Sequence, residues 1–125
     1  LDLLVADAED VCQRLGIPHR VLELCTGDLG FAASKSFDIE LWGAGSNEWL
    51  EVSSCSNCTD FQTRRSKIRF KPTEGGRNKY AHTLNGSGLA IPRVMIAIME
   101  YFQNEDGSIS VPDVLIPYTG FSIIS

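Results

Sequence analysis

Residues 37–54, FDIELWGAGSNEWLEVSS, constrain the fold more than any other stretch of the chain. Apolar and polar residues alternate through FDIELW and again through EWLEVSS, the two-residue period of half-buried strands. The small residues GAGSN between them suit a tight reversal, so the segment predicts an antiparallel hairpin with arms at 37–42 and 48–54.

Helical patterns flank this region. Leu1–Leu15 places apolar residues at 1, 4, 5, 8, 11, 12 and 15, the spacing of an amphipathic helix, closed by Gly16 and Pro18. From Leu89, LAIPRVMIAIMEYFQ repeats the pattern at 91, 94, 95, 98, 99 and 102, with Pro92 in the first turn, where a missing N–H is harmless. Between them, HRVLELC (19–25) reads as a strand and TGDLGFAASKS as a glycine-punctuated connector. SNCTDFQTRR (56–65) reads as a short helix capped by Asn57 or Thr59. KIRFK (67–71) and YAHTL read as strands around a polar, glycine-rich loop, and DGSISVPDVLIPYTGF as a turn with an extended tail. Strands in a run with helices at the ends point to an α+β fold, an antiparallel sheet flanked by helices.

Length bounds the chain to one compact domain or a large piece of one: it has 125 residues, 43% of them hydrophobic. A net charge of −5 argues against broad polyanion binding, so any RNA contact should be local. No apolar run approaches the roughly 20 residues that span a bilayer, and nothing resembles a secretory leader, which gives an intracellular expectation and no membrane partner. Four cysteines, Cys12, Cys25, Cys55 and Cys58, are then read as reduced thiols. Cys55 and Cys58 have zinc spacing but lack two further ligands, so small buried side chains are the preferred reading and no zinc is expected.

The stretch HTLNGSGLAIPR (82–93) sets small polar residues before a helix start, where free N–H groups and partial positive charge favour an anion or polar ligand. A plainer account has Ser87 capping a core helix and the glycines allowing tight packing. On the second hairpin arm, two-residue alternation puts Glu51 and Ser53 on one face, a carboxylate and a hydroxyl pointing into one site.

Four stretches, CTGDLGFAASKSFDIELW, EVSSCSNCTDFQTRR, HTLNGSGLAIPR and DGSISVPDVLIPY, resemble seryl-tRNA synthetases, class II aminoacyl-tRNA synthetases, in the family's own order and over nearly the whole chain. The resemblance implies residues 1–125 as a C-terminal part of the catalytic domain. It also implies activation of serine with ATP to seryl-adenylate and transfer of the seryl group to tRNA-Ser. HTLNGSGLAIPR then corresponds to class II motif 3, with Arg93 on the nucleotide. The EVSS stretch, Glu51, Val52, Ser53 and Ser54, would lie against ATP, with Glu51 helping to hold Mg²⁺ across the phosphates. Glu51 and Arg93 are the catalytic candidates, and Ser87 with Asn85 the serine-binding ones. Pro92 stands where many class II families have glutamate.

Arg64, Arg65, Lys67 and Arg69 form the one dense basic cluster, a solvated face by default and a phosphate or acceptor-end contact otherwise. The family implies further parts: an N-terminal helical arm gripping tRNA-Ser, a homodimer interface at motif 1, and motif 2. Leu1 falls after motif 2, so the expectation is a fragment of a longer enzyme, inactive alone, working in the cytoplasm or an organellar matrix. Two other readings stand beside it, an amino acid:carrier-protein ligase and a non-catalytic synthetase-derived binding protein.

Overall fold

The computed structural model describes residues 1–125. Its elements run α1 (Asp2–Leu15), β1 (His19–Glu23), β2 (Lys35–Gly43), β3 (Glu48–Thr59), α2 (Phe61–Ser66), β4 (Arg69–Phe70), β5 (Lys79–Tyr80), β6 (Thr83–Gly86), α3 (Ile91–Tyr101), β7 (Ile109–Ser110), α4 (Ile116–Thr119) and β8 (Ile123–Ile124). The main sheet is antiparallel with order β1-β2-β3-β6. α1 and α3 supply the helical half of the core: Val5, Ala8, Cys12 and Leu15 with Val94, Ala97 and Ile98 meet Ile39, Leu41, Val52 and Cys55 of β2 and β3. The α+β expectation and the hairpin therefore hold, with Asn47 in the left-handed region closing the turn.

Five expectations change. The helix placed over 56–65 starts only at Phe61, because Ser56–Thr59 continue β3, paired to β2 as far as Asn57 and to β6 as far as Thr59. Its N-cap residue is Asp60, not Asn57 or Thr59. KIRFK shortens to the two-residue β4, paired with β5 in a separate ribbon. The tail is not simply extended: a 3₁₀ turn at Asp113–Leu115 and α4 bring β8 back onto β7. In α3 the buried stripe is Val94, Ala97 and Ile98, whereas Ile91, Met95 and Met99 of the expected apolar face are exposed.

A register shift between Ile39 and Glu40 marks a bulge in the hairpin. Ile39 faces Ser53 and Glu40 faces Glu51, which leaves Val52 without a partner across the strand. A bulge adds one residue to one strand and resets the alternation beyond it. Val52 and Ser53 are consecutive and both buried, at 1% exposure each, as fits a bulge that turns both inward.

Candidate functional site

The bulge decides which side chains share a face. Residues paired directly across an antiparallel ladder point the same way, so Ser53, opposite Ile39, and Cys55, opposite Phe37, belong to the core side. Glu51, Ser54 and Ser56, opposite Glu40, Asp38 and Ser36, belong to the other. Asn85 of β6 pairs with Ser56 and joins them. The expected partnership of Glu51 with Ser53 is thus incorrect; Glu51 keeps company with Ser54. Together with Asp38, Ser56 and Asn85 they line a cavity of about 380 Å³ under the connector between β1 and β2.

β6 pairs with β3 only from Cys55 onward, leaving the edge at Glu51–Ser54 open. The segment Ser87–Arg93 fills it. Ser53 Oγ donates to the Ser87 carbonyl at 2.8 Å, and the Ser54 amide lies 3.4 Å from Ser87 Oγ. The Ala90 amide donates to the Val52 carbonyl at 2.6 Å, and Arg93 Nη1 to the Glu51 carbonyl at 2.7 Å. Leu89, between them, has φ 118°, a conformation that costs a side-chain-bearing residue about 1–3 kcal/mol and persists only where its surroundings impose it. The N-cap position of α3 is Ala90, with no side-chain cap, so Ser87 does not cap the helix. Its hydroxyl is turned to β3 instead.

Arg93 and Glu51 meet at the end of this segment. Arg93 Nη1 is 3.9 Å from Glu51 Oε2, with both side chains about half exposed. At that exposure the ion pair itself contributes little. The geometry nevertheless holds a guanidinium, with four other N–H donors still available, beside a carboxylate at the cavity rim. Of the residues read from the sequence, Glu51, Ser54 and Asn85 line the cavity, Arg93 stands beside Glu51 at its rim and Ser87 borders a separate cleft against α1, while the side chains of Val52 and Ser53 are buried and offer the site only backbone. Cys55 faces the core and Cys58 the cavity, so the zinc-like spacing sends the two thiols to opposite sides of β3. The basic cluster is partly tied to its own chain: Arg65 lies 3.4 Å over the Phe61 ring and Arg69 donates to the Tyr80 hydroxyl.

Asp38 and Asp28 escaped the sequence reading. Both line the cavity, and Asp38 Oδ1 is buried there without a hydrogen-bond partner. Only the cross-strand match of Asp38 to Ser54 places it, a long-range pairing that local pattern does not encode.

Comparison with known proteins follows this geometry. The family described as tRNA synthetase class II core domain (G, H, P, S and T) matches residues 2–102. The serine–tRNA ligase of Thermomicrobium roseum is 62% identical over 120 residues, covering 96% of this chain and 27% of the relative. That of Thermotoga neapolitana is 54% identical over 99% of this chain and 29% of its own length. Among solved structures, the seryl-tRNA synthetase from Pyrococcus horikoshii, complexed with ATP, superposes with a TM-score of 0.94 at 46% identity, covering 98% of this chain and 28% of that one. The cytoplasmic serine–tRNA ligase of Naegleria fowleri, in complex with AMP, gives 0.90 at 39% identity, over 99% of this chain and 30% of that one. The chain thus spans less than a third of the length of the relatives it matches.

Proposed function

The chain belongs to the class II tRNA synthetase core family (G, H, P, S and T), and from that premise we propose that residues 1–125 form a C-terminal part of the catalytic domain of a serine–tRNA ligase. The observation that carries this reading is the seating of Arg93 beside Glu51 on the open edge of β3, next to Ser87 and a polar cavity. In the reaction the serine carboxylate attacks the α-phosphorus of ATP, the bond to the bridging oxygen breaks, and pyrophosphate leaves. A ribose hydroxyl of tRNA-Ser then attacks the seryl carbonyl, the bond to the phosphate oxygen breaks, and AMP leaves.

Each residue has a role in that sequence. Arg93 lies against the nucleotide and offers its free N–H donors to phosphate oxygens, balancing charge as pyrophosphate departs. Glu51 and Ser54 reach ATP with side chains, Val52 and Ser53 through backbone. Ser87 and Asn85 face serine, whose small hydroxyl and ammonium suit small polar partners. Glu51, and near it Asp38, are the hard oxygen donors Mg²⁺ prefers, and no cluster of three acidic, His or Cys side chains forms a cage. That suits an ion held mainly by phosphates and touched by one carboxylate; when bound it would supply positive charge between them.

The longer protein would work as a homodimer and grip tRNA-Ser mainly through an N-terminal helical arm, in the cytoplasm or an organellar matrix. No helix here is long and apolar enough to cross a membrane. We expect no structural zinc, because Cys55 and Cys58 point apart; about one zinc per chain in elemental analysis of the purified protein would overturn that. The main test is ATP–pyrophosphate exchange by the full-length protein. Exchange that depends on serine and not on alanine or threonine, with charging of tRNA-Ser, is the expected result; absence of exchange, or dependence on another amino acid, would refute the assignment.

A further inference from the structure

α3 is fastened to the hairpin at both ends. At its start are the Ala90 and Arg93 bonds to β3 already described. At its end, Glu100 Oε2 accepts from the Gly45 amide at 3.1 Å, the Ser46 amide at 3.2 Å and the Ser46 hydroxyl at 3.2 Å, all in the turn between β2 and β3. The turn is shaped for this carboxylate. A Cβ on Gly45 would lie 3.1 Å from Glu100 Cδ, and one on Gly43 would lie 3.0 Å from Glu100 Oε2 and 2.5 Å from Ser46 Oγ. Glu100 follows Arg93 by seven residues, two helical turns, so both leave the same side of α3, about 10 Å apart along its axis.

We propose that Glu100 is a positioning residue for the nucleotide step: its bonds to Gly45 and Ser46 fix the tilt of α3 and thereby the place of Arg93 against β3. This rests on the serine–tRNA ligase reading for its kinetic consequence, though not for its structural one. Val94, Ala97 and Ile98 pack without directional bonds, so the two fastenings set the tilt. Freeing the Glu100 end lets the helix rock about its start; a tilt of about 5° swings the far end by about 1 Å over about 10 Å and turns the Arg93 guanidinium, about 6 Å from the axis, by about 0.5 Å, the tolerance of an active site.

The test uses the full-length protein with Glu100→Ala, Glu100→Gln, Arg93→Ala and the Glu100→Ala/Arg93→Ala double variant. Glu100→Ala should raise KM for ATP about tenfold and leave KM for serine within about twofold, and Glu100→Gln, whose amide oxygen still accepts from both turn amides, should recover most of the loss. In the Arg93→Ala background the Glu100→Ala change should cost nothing more in kcat/KM for ATP, because it acts through Arg93. Hydrogen exchange at the Ala90 amide should quicken in Glu100→Ala along with Gly45 and Ser46, whatever the protein catalyses. Additive losses in the double variant, equal effects on both substrates, or quickening confined to the turn would overturn the proposal. A wild-type protein without serine-dependent exchange would instead defeat the functional reading, and the Ala90 amide would still decide the positioning one.

Discussion

Arg93 combines half exposure with a fixed place, since one strong bond to the Glu51 carbonyl leaves the remainder of its guanidinium free. On the proposed reading, replacing it with alanine in the full-length protein would remove a charge-assisted, two-pronged phosphate contact, worth roughly 2–4 kcal/mol or about 30- to 1000-fold in kcat/KM for ATP. Folding should change little, alanine being the better helix former at an exposed position. Near-wild-type efficiency in a folded Arg93→Ala protein would make it an ordinary surface residue. Cys12 shows the opposite environment. It is fully buried in the core, and burial, with Glu9 nearby, pushes its thiol from 9.0 up to about 11. The folded chain therefore keeps a proton that the unfolded chain loses first. This contribution to stability is whole below about pH 9 and falls away as pH rises from there to about 11. Melting temperature across that window should drop more steeply for the wild type than for Cys12→Ala; parallel curves would show that the thiol is not involved.

At the scale of elements the site depends on the meeting of β3, with its bulge, and the segment before α3. Ser53, which the bulge turns inward, is the tie between them through its 2.8 Å bond to the Ser87 carbonyl. Ser53→Ala removes this half-buried bond and should destabilise the protein by about 0.5–1.5 kcal/mol, read as a shifted denaturant midpoint at unchanged slope. A shift within error would mean that the Ala90 and Arg93 bonds hold the segment by themselves. The same bulge marks the limit of what the sequence disclosed. α1, the hairpin and α3 were legible because periodicity and turn residues are local signals, and Glu51, Ser87 and Arg93 because they sit in recognisable stretches. The face of Ser53 was not, because nothing in Leu50–Ser54 is a glycine or proline that would announce an extra residue; pairing with Ile39 and Glu40 sets it from a distance. The end of β3 was misread for a related reason. Asn57, Thr59 and Asp60 look like helix caps, yet a ladder to β2 holds the strand through Asn57 and one to β6 holds it through Thr59. Local capping preference, worth about 1 kcal/mol, loses to two sets of strand pairings.

At the scale of the whole molecule, charge and exposed apolar surface decide what this stretch does by itself. The cavity is lined by Asp28, Asp38 and Glu51 and by no lysine or arginine, on a chain of net charge −5. On the proposed reading ATP would bring several negative charges to it, and the one cation seated beside Glu51 is Arg93. On another side, Met95 and Met99 of α3 with Phe121 and Ile124 of the tail line an apolar groove while remaining between 43% and 49% exposed. Contiguous apolar surface of this kind usually marks a face that something else covers, and the relatives matched are more than three times as long as this chain. The 125-residue chain expressed alone should therefore bind ATP poorly, bind apolar dyes at the α3 groove, and make no seryl-adenylate, since one arginine beside three carboxylates is too little to balance and orient the triphosphate. Serine-dependent ATP–pyrophosphate exchange by the isolated chain, clearly above a blank without protein, would show that Arg93, Glu51 and Ser87 suffice, and the view of this stretch as one part of a larger site would fall.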